Sequence, residues 1–257
     1  MQTLEQKESK GKEKDKEVVV QVKNLYKSFG EHTVINGVSF DLHLKENITI
    51  LGKSGTGKSV LIKSIVGLHE PDDGELIVLG KNFNQLEDKE LNQMRRKIGY
   101  LFQGGALYDS MTVKQNLLFP IKRQGHKMSE GEMNDAVENS LNEVGLIEAI
   151  NKTPAELSGG MKKRIALART LILRPEIVLY DEPTTGLDPV TSKEISDLIL
   201  KMQDKFDISS VTITHDISCV KITADRIFII RDGKWGAEGT FDELKGSDDE
   251  WVRSFFH

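Results

Sequence analysis

The sequence predicts an α/β fold: a mainly parallel sheet with a glycine loop at its centre, an antiparallel β subdomain and an inserted helical subdomain. Three observations predict it. A short apolar strand, Ile48–Leu51, runs straight into glycines and then into a helix with apolar positions Val60, Leu61, Ile65 and Leu68. Strand and helix signals alternate again from Glu176 onward. Between them, from about Asp88 to Leu173, the helical period dominates.

The elements follow in order. Residues 1–17 carry five lysines against five acids and read as a solvated, disordered tail of zero net charge. Ordered structure is expected from the β-branched run at Val18–Val22. Val38–Leu44 alternates apolar and polar residues, as a half-solvated antiparallel strand does. Glu75–Leu79 is a further strand after the turn at Pro71–Gly74. Inside the helical block, Met133, Val137, Leu141 and Val144 share one helix face, and a strand at Ile98–Phe102 interrupts the period. Strand Ile177–Tyr180, a helix from Val190 to about Met202, and strands Ser210–Thr214, Arg226–Ile230 and Lys234–Glu238 complete the core. The helical block, about 88–173, is an insertion into a domain spanning 18–241, and 242–257 form a C-terminal tail ending in an aromatic run, Trp251 to His257.

Composition narrows the function. The chain has 257 residues and a net charge of -5, without the basic excess of a nucleic-acid-binding body. Cys219 is the only cysteine, so neither a disulfide framework nor a thiolate metal site is expected. No stretch reaches the roughly 18 apolar residues of a membrane span, and the N-terminal residues hold no apolar secretory core. A cytosolic protein is the expectation.

The run Gly52-Lys53-Ser54-Gly55-Thr56-Gly57-Lys58-Ser59 matches Gly-x4-Gly-Lys-[Ser/Thr] between a strand and a helix. Its glycines let backbone N–H groups turn in around phosphates, and the helix start adds its positive dipole end. Lys58 would reach the β- and γ-phosphates of a nucleoside triphosphate, and Ser59 would hold Mg²⁺. The strand Ile177–Tyr180 ends in two acids. Asp181 would hold the metal's water shell, and Glu182 would orient and deprotonate an attacking water. Alone, an ordinary strand with a polar end would account for this pair. Beside Lys58 the catalytic reading prevails. His215, after the strand Ser210–Thr214, would bond the γ-phosphate, although a strand-end histidine is more often structural. Gln103 would sense metal and water, against the plain reading of a surface amide, and Phe29 would stack on adenine, against that of a core phenylalanine.

Leu157-Ser158-Gly159-Gly160-Met161 opens a helix with an apolar stripe at Met161, Ile165, Ala168 and Ile172. Ser158 is a natural cap, and two successive glycines, each costing about 1 kcal/mol of helix propensity, leave the first N–H groups bare for a second phosphate contact.

In this set the sequence resembles the nucleotide-binding domain of ABC transporters from about Val18 to Phe241. Phe29, Gly52–Ser59, Gln103, Leu157–Met161, Asp181 with Glu182, Gly186-Leu187-Asp188 and His215 stand in the family's order. The resemblance implies the ABC ATPase fold on a P-loop NTPase core, ATP with Mg²⁺, and a head-to-tail homodimer. In such a pair Ser158, Gly159 and Gly160 of one chain, with Asp188, serve the ATP held by the other. It also implies an integral membrane permease as partner, no nucleic acid, and a place on the inner face of the cell membrane. Phe102–Ser110, Gly160–Arg164 and Leu179–Ser192 are most similar to the ATPases of Mla-type lipid transport, which implies lipid as cargo, with an MCE-domain protein and a small accessory subunit as further partners. An importer ATPase for amino acids or another small solute is the alternative. Val60, Met161 and Phe29 depart from the commoner threonine, glutamine and tyrosine, and none of the three removes a catalytic group.

Overall fold

The structure, a computed structural model, describes residues 17–123 and 128–256, so all but the last residue of the proposed 1–17 tail lies outside the described residues. Two sheets form the body. The first is antiparallel, in the order β2-β1-β4-β5, from β1 (Val18–Phe29), β2 (His32–His43), β4 (Asp73–Val78) and β5 (Lys81–Asn82). Alternation sets its faces: Val38, Phe40 and Leu42 of β2 point into the core and their neighbours do not.

The second sheet has the order β10-β9-β3-β8-β7-β6, from β3 (Asn47–Leu51), β6 (Ile98–Leu101), β7 (Ile177–Asp181), β8 (Ser209–Ile213), β9 (Arg226–Arg231) and β10 (Lys234–Gly239). β9, β3, β8, β7 and β6 run parallel, and β10 closes the edge antiparallel to β9. β3, β7 and β8 are buried at every residue, which is why they read as continuous apolar or small runs without alternation. In register, Ile50 lies opposite Ile213, and Ile213 opposite Asp181. The carboxyl ends of β3, β8 and β7 therefore stand level, and the loops that leave them meet.

Helix α1 (Lys58–Ile65) follows β3 and α2 (Asp88–Arg95) precedes β6. The inserted helices are α3 (Val113–Arg123), α4 (Glu130–Glu143) and α5 (Gly159–Leu171). They share an apolar cluster of their own, with Val113, Leu117, Val137, Leu141 and Ile165 all closed to solvent. This block is narrower than the 88–173 expected from periodicity. Met94 of α2 and Ile98 of β6 are buried in the main core, because β6 pairs with β7 and holds α2 against the sheet. Asn116 locks the front of the block: its side chain accepts from Tyr108 N–H and donates to the carbonyls of Tyr108, Met111 and Thr112.

After β7 come α6 (Pro189–Phe206) and α7 (Ile217–Thr223), a helix too short for periodicity to announce, set by Asp216 accepting from the N–H groups of Ser218 and Cys219. The C-terminal residues form α8 (Phe241–Lys245) and α9 (Glu250–Arg253). Leu244, Val252 and Phe256 bury against Leu51, Val220, Ile227 and Ile229, so the aromatic terminus packs on its own domain, with His257 outside the described residues. Among the described residues no helix is long and apolar enough to cross a membrane.

Two outcomes test this packing. Leu244→Ala should lower the unfolding free energy by about 2–5 kcal/mol, measured by urea denaturation. An unchanged midpoint would remove the terminal segment from the core. Cys219 is buried, and burial pushes its thiol up to about 11. The thiolate is the reactive form, so a disulfide reagent at pH 8 should react slowly with the native protein and promptly once urea unfolds it.

Candidate functional site

The level strand ends open a cleft of about 640 Å³. The loop from Gly52 to Gly57 forms its floor, and here glycine is required at Gly57: φ is +97°, and a Cβ would stand 2.7 Å from the carbonyl oxygen of Val34. Gly57 leads directly into α1, so the first N–H groups of that helix face the cleft with no side chain capping them. Lys58 is buried, and its Nζ donates to the carbonyls of Gly52 and Lys53 at 2.7 and 2.9 Å. Burial pushes its pKa below the ordinary lysine value, and the nearby Glu182 and Asp181 charges oppose that shift.

Ser59 and Asp181 converge from two elements, with Ser59 Oγ 3.4 Å from Asp181 Oδ1. Tyr100 of β6 donates to Asp181 Oδ2 at 3.2 Å. Burial first, and Asp181 second, raise the Tyr100 pKa, which keeps the phenol a donor. Glu182 has a left-handed backbone, φ +52°, fixed by its N–H donating to Ile213 O at 2.8 Å. Its side chain is only 14% exposed, and Thr185 Oγ1 and His215 Nδ1 each lie 2.9 Å from Oε2. A carboxylate only accepts, so both groups donate. His215 itself is 70% exposed at the cleft mouth, hydrogen-bonded rather than packed.

Phe29 ends β1 and pairs with His32 across a two-residue turn. It is 47% exposed, with the His69 ring edge-on at 5.5 Å, so it is not the core residue that an apolar strand end suggests. Its open face lines the cleft.

The cleft thus gathers Phe29, Gly52, Ser54, Gly55, Gly57, Lys58, Ser59, Val60, Gln103, Asp181, Glu182 and His215. Lys53 and Thr56 belong to the loop but do not line it; Thr56 Oγ1 donates to Lys53 O. Ser158, Gly159, Gly160 and Asp188 stand apart from the cleft in the single chain. Gly159 and Gly160 face Leu187 and Thr191, and Asp188 caps α6 by accepting from Val190 N–H, Thr191 N–H and the Thr191 hydroxyl. Sequence reasoning missed Tyr100, Thr185, Lys163, His32 and Val34. Tyr100 alone left a trace, three positions before Gln103 on a strand whose neighbours point inward.

A bare helix start beside a buried lysine, with a positioned carboxylate opposite, suits a phosphate ester or anhydride. A family model described as "ABC transporter" matches residues 35–185. The chain belongs to this family.

Its relatives carry the same cassette across nearly the whole chain. "Protein TRIGALACTOSYLDIACYLGLYCEROL 3, chloroplastic" of Arabidopsis thaliana is 39% identical, covering 96% of this chain and 75% of that protein. "Intermembrane phospholipid transport system ATP-binding protein MlaF" of Haemophilus influenzae is 36% identical, over 92% and 89%. "Methionine import ATP-binding protein MetN" of Campylobacter jejuni is 37% identical, over 88% and 72%. The dimeric, post-hydrolysis cassette MJ0796 bound to ADP and Pi superposes with a TM-score of 0.78 at 32% identity, covering 86% of this chain and 98% of that one. This chain is an ATP-binding subunit and an ATPase of the ABC transporter family, with its likeness to Mla-type ATPases carried through its length.

The cassette's floor gives a direct test. Gly57→Ala should weaken ATP binding by at least about tenfold, since a Cβ there meets backbone in a conformation L-residues resist, while circular dichroism stays unchanged. Equilibrium binding of a fluorescent ATP analogue reads it, and wild-type affinity would detach the loop from nucleotide binding.

Proposed function

We propose that two copies of this chain form the ATP-driven unit of a lipid transporter, phospholipid being the favoured cargo, bound to the inner face of a membrane by a separate permease. An MCE-domain lipid carrier and a small accessory subunit would complete the system. Lipid is supported by the Arabidopsis and Haemophilus relatives, whose names specify a galactolipid and a phospholipid system.

One observation carries the paired arrangement. Ser158, Gly159 and Gly160 form a helix start next to Asp188, away from their own chain's cleft. Donors of this kind, useless to the nearer nucleotide, suit a nucleotide held by a second copy. The dimeric form of MJ0796 supports the same reading.

Within each cleft the geometry supports a role for each residue. Phe29 offers its face to the base, and the 52–60 segment cradles the phosphates through N–H groups and Lys58. Ser59, Asp181 and Gln103 are oxygen donors suited to Mg²⁺, which when bound would neutralise phosphate charge. Glu182 is the base. Thr185 and His215 both donate to Oε2, so Oε1 is the oxygen turned to an attacking water. The base takes the water proton as oxygen attacks the terminal phosphorus, and ADP leaves as the anhydride bond breaks. His215 then links the γ-phosphate position to the base.

Glu182→Gln should bind ATP and Mg²⁺ yet lose hydrolysis by at least about a hundredfold, and should elute as a dimer with ATP in gel filtration. A variant that stays monomeric with ATP and Mg²⁺ would sink the paired arrangement. A small-solute importer is the second reading, supported by the methionine relative. Co-purification with its membrane partner separates them: ATPase stimulation in phospholipid vesicles alone favours lipid, and stimulation that requires an added amino acid favours the importer.

A further inference from the structure

We propose that Lys163 is a positioning residue for ATP hydrolysis, holding Glu182 and Gln103 at the cleft through their backbone carbonyls. The run Lys162-Lys163-Arg164 opens α5, and only its middle member turns inward: Lys162 is exposed and Arg164 pairs with Glu194 on α6. Lys163 is 8% exposed. A lysine ammonium has three donors and no acceptor. Here Nζ donates to Gln103 O at 2.5 Å and to Glu182 O at 3.3 Å.

Both acceptors lie just beyond the ends of paired strands, Gln103 after β6 and Glu182 after β7. The neighbouring strand holds Glu182 through its N–H, which donates to Ile213 O, and leaves the two carbonyls to other partners. Glu182 O also accepts from Thr185 N–H, so the turn that carries the base is closed on itself and then tied to α5 by Lys163. A positive φ at Glu182 is held only where surrounding bonds over-determine it. Lys163 supplies one of those bonds, from a helix behind the cleft, without touching the reacting atoms.

Charge fits the same role. Burial depresses the Lys163 pKa, and the Glu182 and Asp181 carboxylates oppose that effect. The ammonium therefore lies within the field of both acids while its hydrogen bonds go to carbonyls. Gln103 and Glu182 come from different strands, and a single cation sets their separation across the cleft. An apolar side chain of equal length would fill the space and remove the donor that joins the two carbonyls, leaving Glu182 O with Thr185 N–H alone.

Lys163→Met and Lys163→Arg separate positioning from packing, since methionine keeps the bulk without donors and arginine keeps donors. In the full chain, Lys163→Met should lower kcat by about tenfold or more while the KM and Kd for ATP stay within about threefold. Lys163→Arg should recover most of the loss. Thermal unfolding, followed in parallel, should show both variants folded at the assay temperature. If the methionine variant is not recovered folded, Lys163→Leu, which likewise has no donor, is read by the same criteria. The proposal is overturned by a folded methionine or leucine variant with kcat within about twofold of wild type. It is equally overturned by a loss confined to ATP affinity, or by an arginine variant as impaired as the methionine one.

Discussion

The parallel register of β3, β8 and β7 is the constraint on which the cleft depends. Each strand is only 5 residues long and buried along its whole length. A one-residue slip would exchange the faces of every side chain on the strand. With the register fixed, three loops leave the sheet at one height: the glycine loop after β3, the turn with Glu182 after β7 and the segment with His215 after β8. None of these residues is near another in sequence. Their meeting is a property of strand order, with β8 inserted between the strand that leads into the glycine loop and the strand that ends in acids. Ligands of open α/β sheets gather at such carboxyl ends for the same reason.

Two adjacent acids receive different environments from that arrangement. Asp181 lies inside the ladder and meets hydroxyls, from Ser59 and Tyr100, on its two oxygens. Glu182 lies one residue past the ladder, where a left-handed turn swings its carboxylate across to Thr185 and His215. Hard oxygen ligands gathered around a short acid suit a cation's shell, whereas a longer acid fixed through one oxygen suits proton transfer. Burial of Lys58 and Lys163 nearby costs solvation, and carbonyl partners together with the two acids offset it.

Much of this was legible in the residues themselves. The glycine run between β3 and α1 announced its conformation, because positive φ and close backbone approach require glycine. β7 read correctly as a strand, being uniformly apolar up to Asp181. The edge of the helical block did not, because α2 and β6 are short and their allegiance depends on a pairing between residues 98–101 and 177–180 that no local pattern records. Tyr100, Thr185 and Lys163 were missed for a related reason. A phenol, a hydroxyl and one lysine among three basic neighbours gain meaning only from what the folded chain sets within 3.5 Å of them. The terminal helices α8 and α9 were hidden because four or five residues show no period, although caps at Thr240 and Asp249 mark them in retrospect.

α3 and α4 keep their core apart from that of the sheets, whereas α5 also packs Ala166, Leu167 and Leu171 with Leu101, Val178 and Tyr180, and the chain enters the insertion through Gly105 and Ala106, both left-handed at φ +73° and +48°. Immediately beyond, Asn116 welds the 108–112 loop to α3. α5 is thus a wall shared by two cores, so strain at the sheet edge reaches α3 and α4 through its side chains as well as through the entering loop.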